Sequence, residues 1–341
     1  MTSRNRAAAL SCVIGAAVLL SCGNVDGPRE SSQVVVYTSV DRVFSEPVLQ
    51  EAARRLGLKV IGVYDTEETK STGLVNRLLA RRDNPDGDIF WSGDPGRAAL
   101  LKEKGVTAQY RSPAATGIPA AYTDPEHHWI GFSARARVLL INNESVPPDE
   151  GPKGLIDLTD PKWKGRVAMA NPLFGTTSYH VAALFEAWGE EKAWQWLRDL
   201  KANGVQIAAS NGEVKRHVAS GQATVGLTDT DDASEAIKDG QPVRAVFLDQ
   251  EREGGAPLGT LVMPNTLSLI RNGPNPEGAK KVFDFLLSPD VQAMLANSCA
   301  QTPLSPGVEA QSGVLSVASV VPMNVNYARV AERLDAILPE L

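Results

Sequence analysis

Asp229, Asp231 and Asp232 put three carboxylates into four residues, within the run Thr228-Asp229-Thr230-Asp231-Asp232. Carboxylates crowded in this way repel one another unless a cation offsets them. As hard oxygen donors they suit a hard metal ion or an amine. They also open a helix, where the dipole favours negative charge, so Asp231 reads equally as a simple N-cap. Gly175-Thr176-Thr177 is the complementary feature. Small residues at a helix start offer backbone N–H groups, two hydroxyls and the positive helix end, which makes an anion cradle or a bare cap. Two more polar runs end apolar strands: Thr38-Ser39-Val40-Asp41 and Trp91-Ser92-Gly93-Asp94. Ligands gather at such strand ends in open α/β sheets. Trp91 reads as an aromatic platform or as core. The candidate ligand-binding set is therefore Thr38, Ser39, Asp41, Trp91, Ser92, Gly175, Thr176, Thr177, Asp229, Asp231 and Asp232, and the three aspartates are the candidate metal ligands.

Catalytic signatures are missing. The sequence contains no G-x-S-x-G, P-loop, H-E-x-x-H or G-x-G-x-x-G, and His127, His128, His180 and His217 have no metal-ligand spacing beyond one adjacent pair. The reading is a binding protein, not an enzyme. With 341 residues, 43% hydrophobic and 22% charged, the chain is neither disordered nor a multi-pass membrane protein. At roughly 150 residues per domain it holds about two domains. A net charge of -6 gives no global attraction to nucleic acid. Three cysteines make no disulfide framework.

The N-terminus carries its own chemistry. Arg4 and Arg6 precede an apolar run, Ala7 to Leu20, shorter than the about 20 residues that span a bilayer. That is the form of a secretory signal over 1–21. Leu19-Leu20-Ser21-Cys22 resembles a bacterial lipobox, which makes Cys22 the lipidated first residue of the mature chain. Lipid chains give membrane affinity of about 0.8 kcal/mol per buried methylene. Residues 22–33 read as a tether, rich in Gly, Asn, Asp, Pro and Ser. Cys299 reads as a buried small hydrophobe.

The elements that position the candidate residues alternate strand and helix. Val34-Tyr37, Val60-Val63 and Asp88-Trp91 are apolar β runs. Helices fall between them, the first capped by Ser45 and stopped by Gly57. Arg137-Ile141 is a strong strand, and a Pro-rich loop to Pro152 follows. A second set then comes: strand 166–170, a helix from about Thr177, a helix over 190–202, a helix capped by Ser210 with Glu213, strand 223–228 and a helix from about Ala233. Gly259 to Ile270 reads as the chain returning to the first half. Such alternation means an open, mostly parallel sheet with helices on both faces.

The mature chain resembles the solute-binding proteins of bacterial ABC importers, in the ferric-iron group. The match is carried by Val34-Val35-Val36-Tyr37-Thr38-Ser39, by Asp88-Ile89-Phe90-Trp91, by Trp129 to Val138, by GLIDLTDPKWKG from Gly154 to Gly165, and by Ala296 to Pro303. The resemblance implies a two-lobed α/β periplasmic binding protein of type II with two crossing hinge strands. It implies lobe one at 32–133 plus 259–308, and lobe two at 134–258 plus 309–341. It implies lobe closure on a ligand, delivery to a permease and ATPase, a monomer, and a place in the periplasm or at the cell surface on a lipid anchor. Iron(III) with an anion is the ligand the group implies; no other cofactor is read. The group's paired tyrosines are absent here, where the stretch reads Thr228-Asp229-Thr230-Asp231-Asp232. An organic zwitterion or anion, such as an amino-phosphonate, is the alternative ligand. A lipid-anchored sensor or enzyme reusing the cleft is the alternative class.

Overall fold

A computed structural model describes residues 33–65, 72–251, 256–308 and 313–341. The signal, Cys22 and the tether to residue 32 lie outside the described residues. Gln33, the last residue assigned to the tether, opens the first strand.

The chain begins with β1 (Gln33–Thr38), α1 (Arg42–Leu56), β2 (Lys59–Tyr64), α2 (Thr72–Ala80), β3 (Ile89–Ser92), α3 (Pro95–Glu103) and the short β4 (Thr107–Ala108). It continues with β5 (Ile130–Asn142), β6 (Val167–Ala170), α4 (Gly175–Trp188), α5 (Glu190–Ala202), β7 (Gln206–Ala208), α6 (Asn211–Ala219), β8 (Val225–Asp229), α7 (Thr230–Lys238) and β9 (Val243–Phe247). It closes with β10 (Val262–Ile270), α8 (Pro276–Leu286), α9 (Pro289–Cys299), β11 (Thr302–Pro303) and α10 (Tyr327–Ile337).

The strands run in the order β2-β1-β3-β10-β5-β8-β6-β7, with β4 on β10 and both β9 and β11 on β5. The long β5 belongs to two sheets. Its first half pairs with β10 and β11, its second half with β8 and β9. The change falls between Ala136, opposite Val262, and Arg137, opposite Asp229. The second crossing runs alongside, where the Arg137 N–H donates to the Leu261 carbonyl at 2.9 Å. These are the two crossing strands of a type II periplasmic binding protein. The outer pairings β1–β2, β1–β3, β6–β7 and β6–β8 are parallel. The crossing strands run against them, so each sheet is mixed where a mostly parallel one was expected.

Apolar runs without alternation form strands covered on both faces. In lobe one Val34, Val36, Ile89 and Trp91 face α8 and α9 through Val282, Phe283, Leu286 and Leu295. Tyr37 and Phe90 point the other way, onto Leu74, Val75, Leu78 and Leu101. In lobe two Leu139, Ile141 and Met169 pack with Leu184, Phe185 and Trp196. Trp196 of α5 is thus core, and Trp188 and Trp194 pack half-buried against it.

Two helix starts differ from expectation. Ser45 lies one turn inside α1, its hydroxyl donating to the Val40 and Asp41 carbonyls at 3.0 and 3.1 Å, and Asp41 takes the cap position. Helix α7 follows β8 without a loop. The cap position therefore falls to Asp229, not Asp231, and Asp231 and Asp232 sit in the first turn. Ser210 does cap α6, accepting from the Glu213 N–H at 3.2 Å. Helix α10 packs on α4 of lobe two and on α3 of lobe one. Val330, Leu334 and Ile337 join the lobe-two core, while a Cβ added at Gly96 of α3 would meet the Ala331 Cβ at 2.8 Å. No helix among the described residues is long and apolar enough to cross a membrane.

Candidate functional site

The ends of β8 and β6 and the start of α4 meet beside the crossing strand. Asp229, the last residue of β8, is 4% exposed and makes its contacts with the protein's own groups. Arg137 Nη1 donates to Oδ1 at 2.7 Å. Thr176 Oγ1 and Asn211 Nδ2 donate to Oδ2 at 2.6 and 2.9 Å. Arg137 is itself fully buried, and Nη2 reaches the Leu227 carbonyl at 3.2 Å and Thr177 Oγ1 at 3.4 Å. A buried charge persists only when paired and hydrogen-bonded, and here the two charges offset each other, with Arg137 Nε alone left without a hydrogen-bond partner. His180, one turn along α4, is fully buried, and burial and then the Arg137 charge lower its pKa well below the usual value.

Asp231 and Asp232 lie beside this pair, half-buried. One oxygen from each of Asp229, Asp231 and Asp232 falls within 4.8 Å of the others. Burial first, and the Asp229 charge second, push Asp231 up to about 7 and Asp232 up to about 6. Asp232 accepts from Thr228 Oγ1 at 3.1 Å, and Lys215 stands 4.0 Å from its other oxygen.

The facing wall belongs to lobe one. Ser39 Oγ accepts from the Gly93 N–H at 3.1 Å, which ties the two strand-end loops together. Asp94 caps α3 by accepting from the Gly96 N–H at 2.8 Å. Burial raises its pKa, against the pull of Arg97 and Arg135. Arg135, two residues before Arg137 and so on the same face of β5, lies between the walls. Its Nη2 donates to the Gly93 carbonyl at 3.3 Å, and its Nε is 3.7 Å from Asp229 Oδ2.

The structure thus brings together Thr176, Thr177, Asp229, Asp231 and Asp232. It gives the hydroxyls of Thr176 and Thr177 to Asp229 and Asn211 rather than to an open cradle. Gly175 begins α4 at φ 59°, a left-handed conformation that favours glycine. Thr38 and Ser92 are fully buried and shape their own turns: Thr38 Oγ1 accepts from the Val40 N–H, and Ser92 Oγ donates to the Asp94 carbonyl. Trp91 is core and not a platform. It is 0% exposed, with its ring 5.6 Å from that of Phe132, because β3 is covered on both faces. Asp41 stays at the start of α1, half-buried. Two tyrosines that could swing toward a metal are engaged elsewhere: Tyr37 donates to Asp86, and Tyr179 to the Tyr327 carbonyl. Arg135, Arg137, Asn211 and Asp94 were not among the candidates. Two arginines at i and i+2 inside an otherwise apolar strand are the signal for the first pair, since charge on a buried strand needs a partner.

The model of a family described as bacterial extracellular solute-binding protein matches residues 84–328. The chain belongs to that family. It is 29% identical over 326 residues to iron uptake protein A1 of Synechocystis, covering 90% of this chain and 87% of that one. It is 25% identical over 304 residues to a probable ABC transporter periplasmic-binding protein of Sinorhizobium fredii, covering 82% of each. A Trichodesmium protein solved in complex with iron and citrate superimposes with a TM-score of 0.77 at 24% identity, covering 90% of this chain and 97% of that one.

Proposed function

We propose that the chain is the extracytoplasmic solute-binding subunit of an ABC importer of the iron(III) type. It captures its ligand between lobe one (32–133 plus 259–308) and lobe two (134–258 plus 309–341), and it acts as a monomer that delivers the ligand to a permease and ATPase. Lipid on Cys22 holds it to the bacterial surface. The carboxylate group of Asp229, Asp231 and Asp232 carries this reading. The oxygens of Asp231 and Asp232 that remain beyond their contacts with Thr228 and the Asp232 N–H are hard donors of the kind iron(III) takes, and burial, then the neighbouring Asp229 charge, raises their pKa values. The iron-uptake relative and the iron-and-citrate neighbour support the choice of cargo. No nucleophile-base pair is used in this reading, which is one of binding alone.

Asp229 favours a second reading, an organic zwitterion or anion. Its charge is already met by Arg137, so lobe two offers two carboxylates and not three, beside the partly exposed Arg135 guanidinium, which suits an anionic group. Metal analysis and native mass spectrometry of the purified protein separate the two. Calorimetry with iron(III) citrate then tests the residues. Asp231→Asn and Asp232→Asn are each expected to weaken binding roughly 30-fold or more, the cost of about 2 kcal/mol or above for a buried charged contact. Parent protein that binds no iron and carries an organic molecule overturns the iron reading.

A further inference from the structure

Arg135 and Arg137 leave the same strand on the same face, yet they are held differently. Arg137 is sealed, with Asp229 at 2.7 Å. Arg135 keeps 20% of its side chain exposed and stands 3.7 Å from the same carboxylate, beyond a short hydrogen bond. Its other end donates to the Gly93 carbonyl of lobe one at 3.3 Å. One guanidinium therefore touches both walls of the cleft. The charged groups around it are Asp94 and Arg97 on lobe one and Asp229, Asp231 and Arg137 on lobe two.

We propose that Arg135 is a positioning residue that serves as the cleft's resident cation: it tethers the two lobes when no ligand is bound, and a positive centre that reaches Asp231 and Asp232 must displace it. The displacement half rests on the reading that these aspartates receive the positive part of the ligand; the tether half does not. The physical basis is a single competition. A guanidinium on a flexible stem offsets the aspartates in the empty protein. A second cation at Asp231 and Asp232, next to the Asp229 carboxylate that Arg135 faces and within the reach of its charge, meets its repulsion until Arg135 swings away. Arg137 cannot play this part, because leaving Asp229 would strand a buried charge.

The test compares parent, Arg135→Gln and Arg135→Lys, with Arg135→Met as the substitute if the Gln variant does not fold. Small-angle scattering of ligand-free protein is expected to show a larger radius of gyration for Arg135→Gln and a parent-like value for Arg135→Lys. Terbium(III) luminescence titration, with no added anion ligand, is expected to show roughly 10- to 100-fold tighter binding by Arg135→Gln, from the loss of one like charge a few ångströms away. An unchanged radius in the Gln variant overturns the tether. Equal or weaker terbium binding in that variant overturns the displacement. If neither parent nor variant binds terbium(III), the cation reading of the cleft fails along with the displacement, and scattering alone decides the tether.

Discussion

Arg137→Met removes the guanidinium from Asp229 while keeping a long apolar stem in the strand. Asp229 is left 4% exposed, with hydrogen bonds from Thr176 and Asn211 and with Arg135, 3.7 Å away, as the one positive charge beside it. Stranding one member of a buried ion pair costs about 3–5 kcal/mol. For a protein built of lobes this size, 1 kcal/mol moves Tm by about 2–4 °C, so a fall of ~10 °C is expected. Scanning calorimetry of the ligand-free protein measures it. The control is the double variant Arg137→Met with Asp229→Asn, which removes both charges and is expected to regain much of the loss. The resulting coupling should reach at least about 1 kcal/mol, in the range seen for residues in one network. If the two single losses simply add, Arg137 and Asp229 are not a mutually neutralising pair. The account of why Asp229 is unavailable to a ligand then fails with them.

Other outcomes follow from the same geometry. A carboxyl whose folded pKa lies above its unfolded value of about 4 lends stability at low pH, and that stability is lost as pH rises through the folded value. With Asp231 raised to about 7, the ligand-free Tm should fall as pH rises from about 4 to about 7, and calorimetry across that range should show a flatter profile for Asp231→Asn. Gly259→Ala is expected to cost about 1–3 kcal/mol, since Gly259 sits at φ 81° and a Cβ there would meet the backbone of Val321 and Pro322 at 2.7 Å; urea unfolding checks it. Cys22→Ala is expected to release the protein from the membrane fraction or stall its processing, and unchanged fractionation would count against the anchor.

Much of the scaffold is legible in the residues because burial on both faces leaves a plain mark. Val34-Tyr37, Ile89-Trp91 and Val138-Ile141 are apolar without alternation, and each is a covered strand. The same burial made Trp91 misleading: a tryptophan beside Ser92 looks like a ligand platform, but nothing local says on which side of the sheet it ends. Asp229 is the harder case. Crowded aspartates announce missing positive charge, and that inference is sound. The charge comes from Arg137, far away in sequence and brought opposite Asp229 only by strand register. The direct passage from β8 into α7 had the same effect on the cap. A strand that ends without a loop moves the helix start back, and a capping pattern read from Asp231 onward does not see it.

The place of β10 in lobe one has a consequence for how the molecule is made. This strand lies between β3 and β5, with Ser92 opposite Thr266 on one side and Ile130 opposite Leu267 on the other. Every strand of lobe two between β6 and β9 precedes it in the chain. Lobe two can therefore close its sheet from contiguous residues, while lobe one must wait for its own middle. Pairings at such sequence separation are slow to form. Until β10 arrives, β3 and the first half of β5 stand as open edges with unpaired backbone groups, which invite association with other chains. Refolding should show lobe two first and lobe one last, with the concentration-sensitive interval falling between the two.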